Sequence, residues 1–477
     1  MTTEAWDLLV IGSGFGGCIA ARRGAAAGLR TVVLERGPRL DGHAFAALAD
    51  GRGPLVERRG NGGLVHATVA RRLLALSGSA VGGTSHLYTA VSVPPPDELF
   101  AGGWPSGWSA ASLAPFVRRV LDRIDPSACP RELPRFARLA LAARDLGGVA
   151  TRLPLAMTWR GSAEPPATGV RASLVQWLRG GLRQAKRTCD ERDLRPAERD
   201  GAVVCPRHAV ELIAPDARGY RVRAVRTDRG ETVEFVARRV VLAAGTLGTV
   251  QLLLHCRDRA RTLPRLSPRL GERFFTNGDY GALLVSRRPL IESDDGPPVS
   301  GWIDLWRQER LYLMETGPLP LPGLGRLSGF ARGQRPARHR LWSFAVMGQD
   351  PTPGTLRLSR RGGLRYDAAP SAAGQQFARA RHARLRELAA ALSARLLAPP
   401  PLLAERWPVT VHPLGGAALA DTPDGGATDA TGELFGCPGL YVADGSLLPA
   451  PIGRPPSVTI AALAERVMEH LLERARA

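Results

Sequence analysis

The chain reads as an α/β protein. Its core is a Rossmann-like dinucleotide-binding domain that is discontinuous in sequence, and an α+β domain with an antiparallel sheet is inserted into it. Three observations predict this. A complete strand–helix–strand unit with a glycine fingerprint occupies residues 8–35. Strand–turn–helix segments of the same kind recur near residues 240 and 440. The stretches between them carry strand-like runs and a long helical pattern. With 477 residues, 44% hydrophobic and 23% charged, the chain has room for two domains and the composition of a globular protein.

The apolar run Leu8 to Ile11 suits a buried parallel strand. It enters Gly12-Ser13-Gly14-Phe15-Gly16-Gly17, followed by a helix from Cys18 to Ala27 that stops at Gly28. A second strand, Thr31 to Leu34, ends at Glu35, which falls 23 residues after Gly12. Gly12 permits the tight turn, Gly14 lets backbone approach a pyrophosphate, and Gly17 lets helix pack on strand. The helix N-terminus turns free N–H groups towards the phosphates, and Glu35 is placed to accept from ribose hydroxyls. A lone GxGxxG is weak, but the full unit specifies dinucleotide binding.

Up to this point NAD and FAD fit equally. The glycine-rich segment Leu76 to Tyr88 (LSGSAVGGTSHLY) can lie flat against a large planar ring system, which favours FAD; an ordinary surface loop is the competing reading. Val240 to Ala244 reads as a later strand of the same sheet, with Gly245 as a turn and Leu247 to His255 as a helix. Leu440 to Ala443 is another strand, leading into Asp444-Gly445-Ser446. Gly453-Arg454-Pro455-Pro456 then opens a helix from Ser457 to about Arg474, since proline is tolerated where helix N–H groups lack partners.

The segments place the nucleotide-binding domain at residues 1–107, 196–278 and 406–477, and a substrate domain at 108–195 and 279–405. Within the second insert, Leu311 to Glu315, Leu341 to Met347 and Thr355 to Leu358 are expected strands, and Ala373 to Leu397 an expected helix.

Net charge is +20, yet of the 64 lysines and arginines one is a lysine, Lys186, and 63 are arginines. Such a skew, spread along the chain, looks like codon bias in a GC-rich genome. With aromatics at 6%, it argues against nucleic-acid binding, although the positive field suits anionic substrates or an acidic partner protein. Six cysteines without a CxxC spacing signal neither a zinc site nor a redox pair, and free thiols are expected. No metal site, signal peptide or membrane span is expected, and a cytoplasmic protein follows.

The motifs, taken together, resemble those of the glucose-methanol-choline (GMC) flavoprotein oxidoreductases, most of all the bacterial cholesterol oxidase branch. They are GSGFGG from Gly12, GSAVGGTS from Gly78, WPSGWS from Trp104, VVLAAGTLGTVQLLL from Val240, NGD from Asn277, HPLGG from His412 and GLYVADGSLLP…VTIAALAER from Gly439. The resemblance covers nearly the whole chain and is weakest in the inserts. It implies FAD, held at Gly12, Gly14, Phe15, Gly16, Gly17 and Glu35. Val210 would lie against the adenine, and Gly82, Gly83, Thr84 and Ser85 against the isoalloxazine. Ala244, Gly245, Asp444 and Gly445 would meet the middle of the cofactor. Pro456, Ser457 and Val458 would start a helix whose positive end faces the flavin's pyrimidine edge. Some relatives link flavin covalently to a histidine at the position of Leu87; His86 is one residue off, so non-covalent FAD is expected.

In this family a histidine near flavin N5 accepts the substrate hydroxyl proton, and His412 holds that position. The usual Asn or His partner is replaced by Pro455, which offers no side-chain donor or acceptor. Glu315 could match the carboxylate that cholesterol oxidases use for isomerisation, with a solvated strand-end glutamate as the bland reading. The leading expectation is an FAD-dependent oxidoreductase that removes hydride from a CH–OH group of a small molecule, His412 acting as base and oxygen or another acceptor restoring the flavin. Two others stand beside it: a lyase, isomerase or other altered chemistry, motivated by Pro455, and a flavin-stabilised scaffold protein.

Overall fold

The computed structural model describes residues 5–57, 62–160, 175–176, 178–179, 184–291, 296–317 and 337–476. Its larger sheet runs in the order Val203–Cys205, Thr31–Leu34, Trp6–Ile11, Thr232–Leu242, Gly219–Arg226, His208–Asp216, and Leu440–Val442 adds to Thr232–Leu242. Four neighbouring pairings, linking Val203–Cys205 through to Leu440–Val442, are parallel. Leu8, Leu9 and Val10 are fully buried, as a parallel strand covered on both faces requires. Thr232–Leu242 serves two arrangements. Its first half pairs antiparallel with Gly219–Arg226, and its second half is parallel to Trp6–Ile11 and Leu440–Val442.

The helix Phe15–Ala26 is rich in small residues, so it lies close to the strands. The C-terminal helix Ser457–Arg476 and the helix Ala110–Ile124 pack beside it. Glu465 joins all three: its buried carboxylate takes Arg23 at 2.7 Å, Arg119 at 3.2 Å and Arg123 at 2.7 Å. Leu113, Phe116 and Val120 share the core of the larger sheet, as do Leu356, Leu364 and Tyr366 of the hairpin Thr355–Leu358/Leu364–Asp367.

The second sheet is antiparallel throughout, in the order Arg395–Leu397, Tyr280–Val285, Leu341–Gly348, Leu311–Thr316, Gly301–Leu305, Val149–Arg152. One face packs on helices Pro134–Asp145 and Ala372–Ala391 through Leu139, Ala142, Leu385 and Leu388. The other presents Trp302, Tyr312, Met314 and Met347 to Ala90, Val91 and Leu155. The expected helix Ala373 to Leu397 is shorter than the pattern suggested. It ends at Ala391, Ser393 turns at φ 50°, and Arg395–Leu397 becomes an edge strand on Tyr280–Val285.

A small sheet matters most for the site. Leu73–Gly78 pairs with Val65–Ala70 on one side and, in parallel, with Val409–Thr410 on the other. Leu73–Gly78 runs into the glycine-rich loop, and Val409–Thr410 runs into His412. Past the histidine, Leu414–Gly415 pairs with Phe274–Phe275.

Candidate active site

Turns leave the carboxyl ends of the strands ending at Ile11, Leu34, Leu242 and Val442, the edge where α/β sheets bind ligands. Gly12 has φ +94°, and a Cβ there would stand 2.4 Å from Ala243 O. A Cβ on Gly17 would stand 2.0 Å from Gly12 O, which explains the close helix–strand contact. A Cβ on Gly14 would meet no protein atom. The helix it caps has neither a side-chain cap nor a first-turn acid, so its N-terminal N–H groups suit an anion. Gly16 lies against Ala443 and leads the helix with Phe15, whose ring meets Tyr88 edge-on at 5.3 Å. These features fit a dinucleotide.

The glycine-rich segment forms the second wall. A Cβ on Gly83 would be 2.7 Å from Gly14 Cα, so the two glycine loops touch. Gly82 N donates to Ser13 Oγ at 3.1 Å. The hydroxyls of Thr84 and Ser85 are engaged inside the protein: Gly78 N donates to Thr84, Ser85 donates to Gly82 O, and Cys189 N donates to Ser85. Below this loop lies Lys186, whose Nζ donates to His86 O at 2.7 Å and Tyr88 O at 2.9 Å. Burial lowers its pKa to about 7. His86 is buried, its Nε2 is 2.8 Å from Val81 O, and burial lowers its pKa.

Glu35 is buried and accepts from Ser13 N, Ser13 Oγ and Gly37 N at 3.1, 2.7 and 2.9 Å. Burial raises its pKa against those bonds. Val210 pairs with Ala224 where the register slips past one residue, a bulge in the antiparallel part of the sheet. Ala244 precedes Gly245, the N-cap of helix Thr246–Leu254, and Ala244 N donates to Thr249 Oγ1 at 3.2 Å. Asp444 accepts from Thr249 Oγ1, Ser446 N and Ser446 Oγ, and burial raises its pKa. Thr246 Oγ1 donates to Pro413 O at 2.6 Å and is 2.8 Å from where a Cβ on Gly445 would stand, so the histidine segment meets both turns.

His412 has a partner that sequence reasoning missed. Its Nδ1 lies 2.8 Å from Asp279 Oδ1, and Asp279 Oδ2 accepts from Thr410 Oγ1, Val411 N and His412 N at 2.8, 2.8 and 3.0 Å. An ionised carboxylate only accepts, so in the neutral imidazole the proton sits on Nδ1 and Nε2 keeps its lone pair. Asp279 ends the NGD motif, and the sole signal was that motif; nothing local placed it beside a residue 133 positions away.

Asn277, at the start of the motif, is fully buried. Its side chain donates to Arg454 O at 2.9 Å and accepts from Gly453 N at 2.7 Å. It thereby fixes the turn before Pro455, which is buried with Pro456 ahead of the helix. Ser457 Oγ donates to Val91 O at 3.3 Å, and Val458 is buried. Arg454 itself turns aside: Nε donates to Tyr312 Oη at 2.8 Å, Nη1 donates to Pro94 O at 3.2 Å, and the guanidinium lies 5.0 Å from the Tyr312 ring. Glu315 is not solvated. It is fully buried, with Oε1 3.2 Å from Arg135 Nε and Oε2 accepting from Trp342 Nε1 at 3.2 Å, a structural ion pair inside the second sheet.

Among the described residues no helix is long and apolar enough to cross a membrane. All six cysteines are unpaired.

The comparisons with known proteins point to one family. Residues 57–257 and 386–464 match the two parts of the GMC oxidoreductase family model, and residues 7–58 match an FAD binding domain. The chain is 29% identical to a cholesterol oxidase of Mycobacterium tuberculosis over 97% of its own length and 90% of that protein's. It is 25% identical to a cholesterol oxidase of Acinetobacter baumannii, over 98% and 94%. It is 30% identical to an uncharacterized GMC-type oxidoreductase of Mycobacterium tuberculosis, over 97% and 75%. The crystal structure of pyridoxine 4-oxidase from Mesorbium loti shares the fold, with a TM-score of 0.68 at 15% identity over 98% of this chain and 99% of that one. The chain belongs to the GMC oxidoreductase family and is an FAD-dependent oxidoreductase.

Proposed function

We propose that the protein oxidises a CH–OH group of a small molecule, with His412 as the base and oxygen as the electron acceptor. The observation that supports this best is the His412–Asp279 pair, which stands among the FAD-motif turns and engages the ring through Nδ1, so that Nε2 is the nitrogen left for a substrate. FAD, when bound, supplies the two-electron acceptor for the hydride that leaves the carbinol carbon. Gly14 and the first turn of the helix Phe15–Ala26 would receive the pyrophosphate, and Gly82 to Ser85 would border the ring system. His412 Nε2 takes the hydroxyl proton as the C–H bond breaks. Asp279 keeps the imidazole in the required tautomer and stabilises the imidazolium that results. Pro455 adds no hydrogen bond to the substrate oxygen, so His412 is its main polar contact. Two of the relatives are named as cholesterol oxidases, which favours oxidation over the lyase or isomerase reading that Pro455 had suggested.

The test is anaerobic mixing with a panel of sterols, pyridoxine and primary alcohols. Loss of the oxidised flavin absorbance, with the matching carbonyl formed in equal amount, is expected from at least one member. A fully flavinated protein that none of them bleaches counts against the proposal.

A further inference from the structure

Arg381 is a buried cation without an evident structural reason. It sits on the helix Ala372–Ala391 with 6% of its surface exposed, and its Nε is buried without a hydrogen-bond partner. It lines a cavity of about 710 Å³ together with Thr276, Asp279, Asp350 and Glu405. Burying a guanidinium is costly even with the Asp350 and Glu405 carboxylates near it, so its contacts call for an account in function.

Beyond the Phe377 ring of its own helix, 5.5 Å away, those contacts fall on the two residues that flank Asp279. Arg381 Nη1 donates to Gly278 O at 2.9 Å, and its guanidinium lies 4.2 Å from the Tyr280 ring centroid. Gly278 and Tyr280 flank Asp279, the partner of His412. The neighbouring residue His382 also reaches Tyr280, with Nδ1 3.2 Å from its hydroxyl. The segment they grip is a tight left-handed turn: Asn277 and Gly278 have φ 58° and 65°, conformations that asparagine and glycine adopt readily, and a Cβ on Gly278 would stand 2.7 Å from Gly348 O. The Asn277 side chain and the bonds to the Asp279 carboxylate hold this turn from one side and Arg381 from the other, and a shift of the main chain here would move the carboxylate relative to Nδ1.

We propose that Arg381 is a positioning residue for the reaction. It holds the main chain on both sides of Asp279 so that the carboxylate keeps His412 in the Nδ1–H tautomer. The inference rests on His412 being the base, and its test separates the two. Arg381→Met, Asp279→Asn and the double variant are compared with wild type as FAD-loaded proteins carrying ¹⁵N-histidine, the His412 signals being assigned with His412→Gln. Wild type should show a single Nδ1–H tautomer with a downfield Nδ1 proton. Arg381→Met should lose that proton signal and give nitrogen shifts averaged between tautomers, with FAD content unchanged. Its flavin reduction by the fastest alcohol of the panel should slow by about tenfold, the lower range for a lost supporting contact. Adding Arg381→Met to Asp279→Asn should slow reduction no further, because the two act through one carboxylate. Unchanged His412 signals in Arg381→Met, or effects that multiply in the double variant, overturn the proposal. Should Arg381→Met fail to hold FAD, Arg381→Lys decides by the same signals, since it keeps the charge but loses the planar face over Tyr280. If instead His412→Ala reduces flavin at the wild-type rate, the base assignment fails, while the nitrogen shifts still report whether Arg381 positions Asp279.

Discussion

Asp279 holds His412 twice: Oδ1 lies 2.8 Å from the ring Nδ1, and Oδ2 accepts the main-chain N–H of the same residue at 3.0 Å. One carboxylate therefore fixes both where the imidazole sits and which nitrogen faces outwards. This division of labour makes ring and carboxylate separable by mutation.

Removing the ring should cost most. His412→Ala should slow flavin reduction by about 10²-fold or more, the usual scale of general base catalysis, while FAD stays bound. Asp279→Asn keeps a side chain of the same shape, but its amide can donate to Nδ1 and favour the wrong tautomer; a loss of about 10- to 100-fold is expected. Stopped-flow reduction of the two variants checks both, and near-wild-type rates would make His412 a structural histidine in a turn.

The cofactor should be released intact. Leu87 cannot bond to flavin, and the ring of His86 is turned to Val81 O and kept neutral by burial. Acid precipitation should leave FAD in the supernatant, and a yellow pellet would show a covalent link.

On the proposed reading, Pro455 stands where a second polar contact to the substrate oxygen would be. Pro455→Asn would supply a donor, and alcohol oxidation should rise by about tenfold, the worth of a hydrogen bond of about 1–3 kcal/mol. The helix behind it loses a well-fitted first-turn proline. FAD content is therefore measured first, and a fully loaded variant with no gain refutes the idea.

Lys186 gives the fold a pH signature. Its folded-state pKa falls to about 7 from an ordinary 10.5 because of burial. Between those values the unfolded chain binds the extra proton, so stability should rise with pH from about 7 upward; below that range the cost of the buried charge is constant. Lys186→Met should flatten the rise in thermal melts between pH 7 and 10. Parallel slopes in wild type and variant would show that other groups set it.

The sequence made the nucleotide-binding half readable because each of its elements announces itself locally. An apolar run, a glycine fingerprint and an acid lie within the 28 residues from Leu8 to Glu35, and in the structure Glu35 accepts from Ser13 of that fingerprint. The inserted half was legible only in part. The expected strands Leu311 to Glu315 and Leu341 to Met347 are found, each one residue longer, but the pairing of Arg395–Leu397 with Tyr280–Val285 depends on a partner more than a hundred residues away. The same physics hid Asp279. A carboxylate gains its role from the strand pairing that brings Phe274–Phe275 to Leu414–Gly415, and no local periodicity encodes that pairing. Glu315 was misjudged for a related reason: its burial comes from Arg135 on a distant helix.

The larger sheet receives Leu440–Val442 beside Thr232–Leu242, and the helix Ser457–Arg476 covers the helix that began the fold. During synthesis, then, the cofactor cradle cannot close when its glycine motif leaves the ribosome. It must wait for hundreds of residues, with Trp6–Ile11 and its apolar flanks unshielded in the meantime. FAD capture should therefore be a late event in biogenesis.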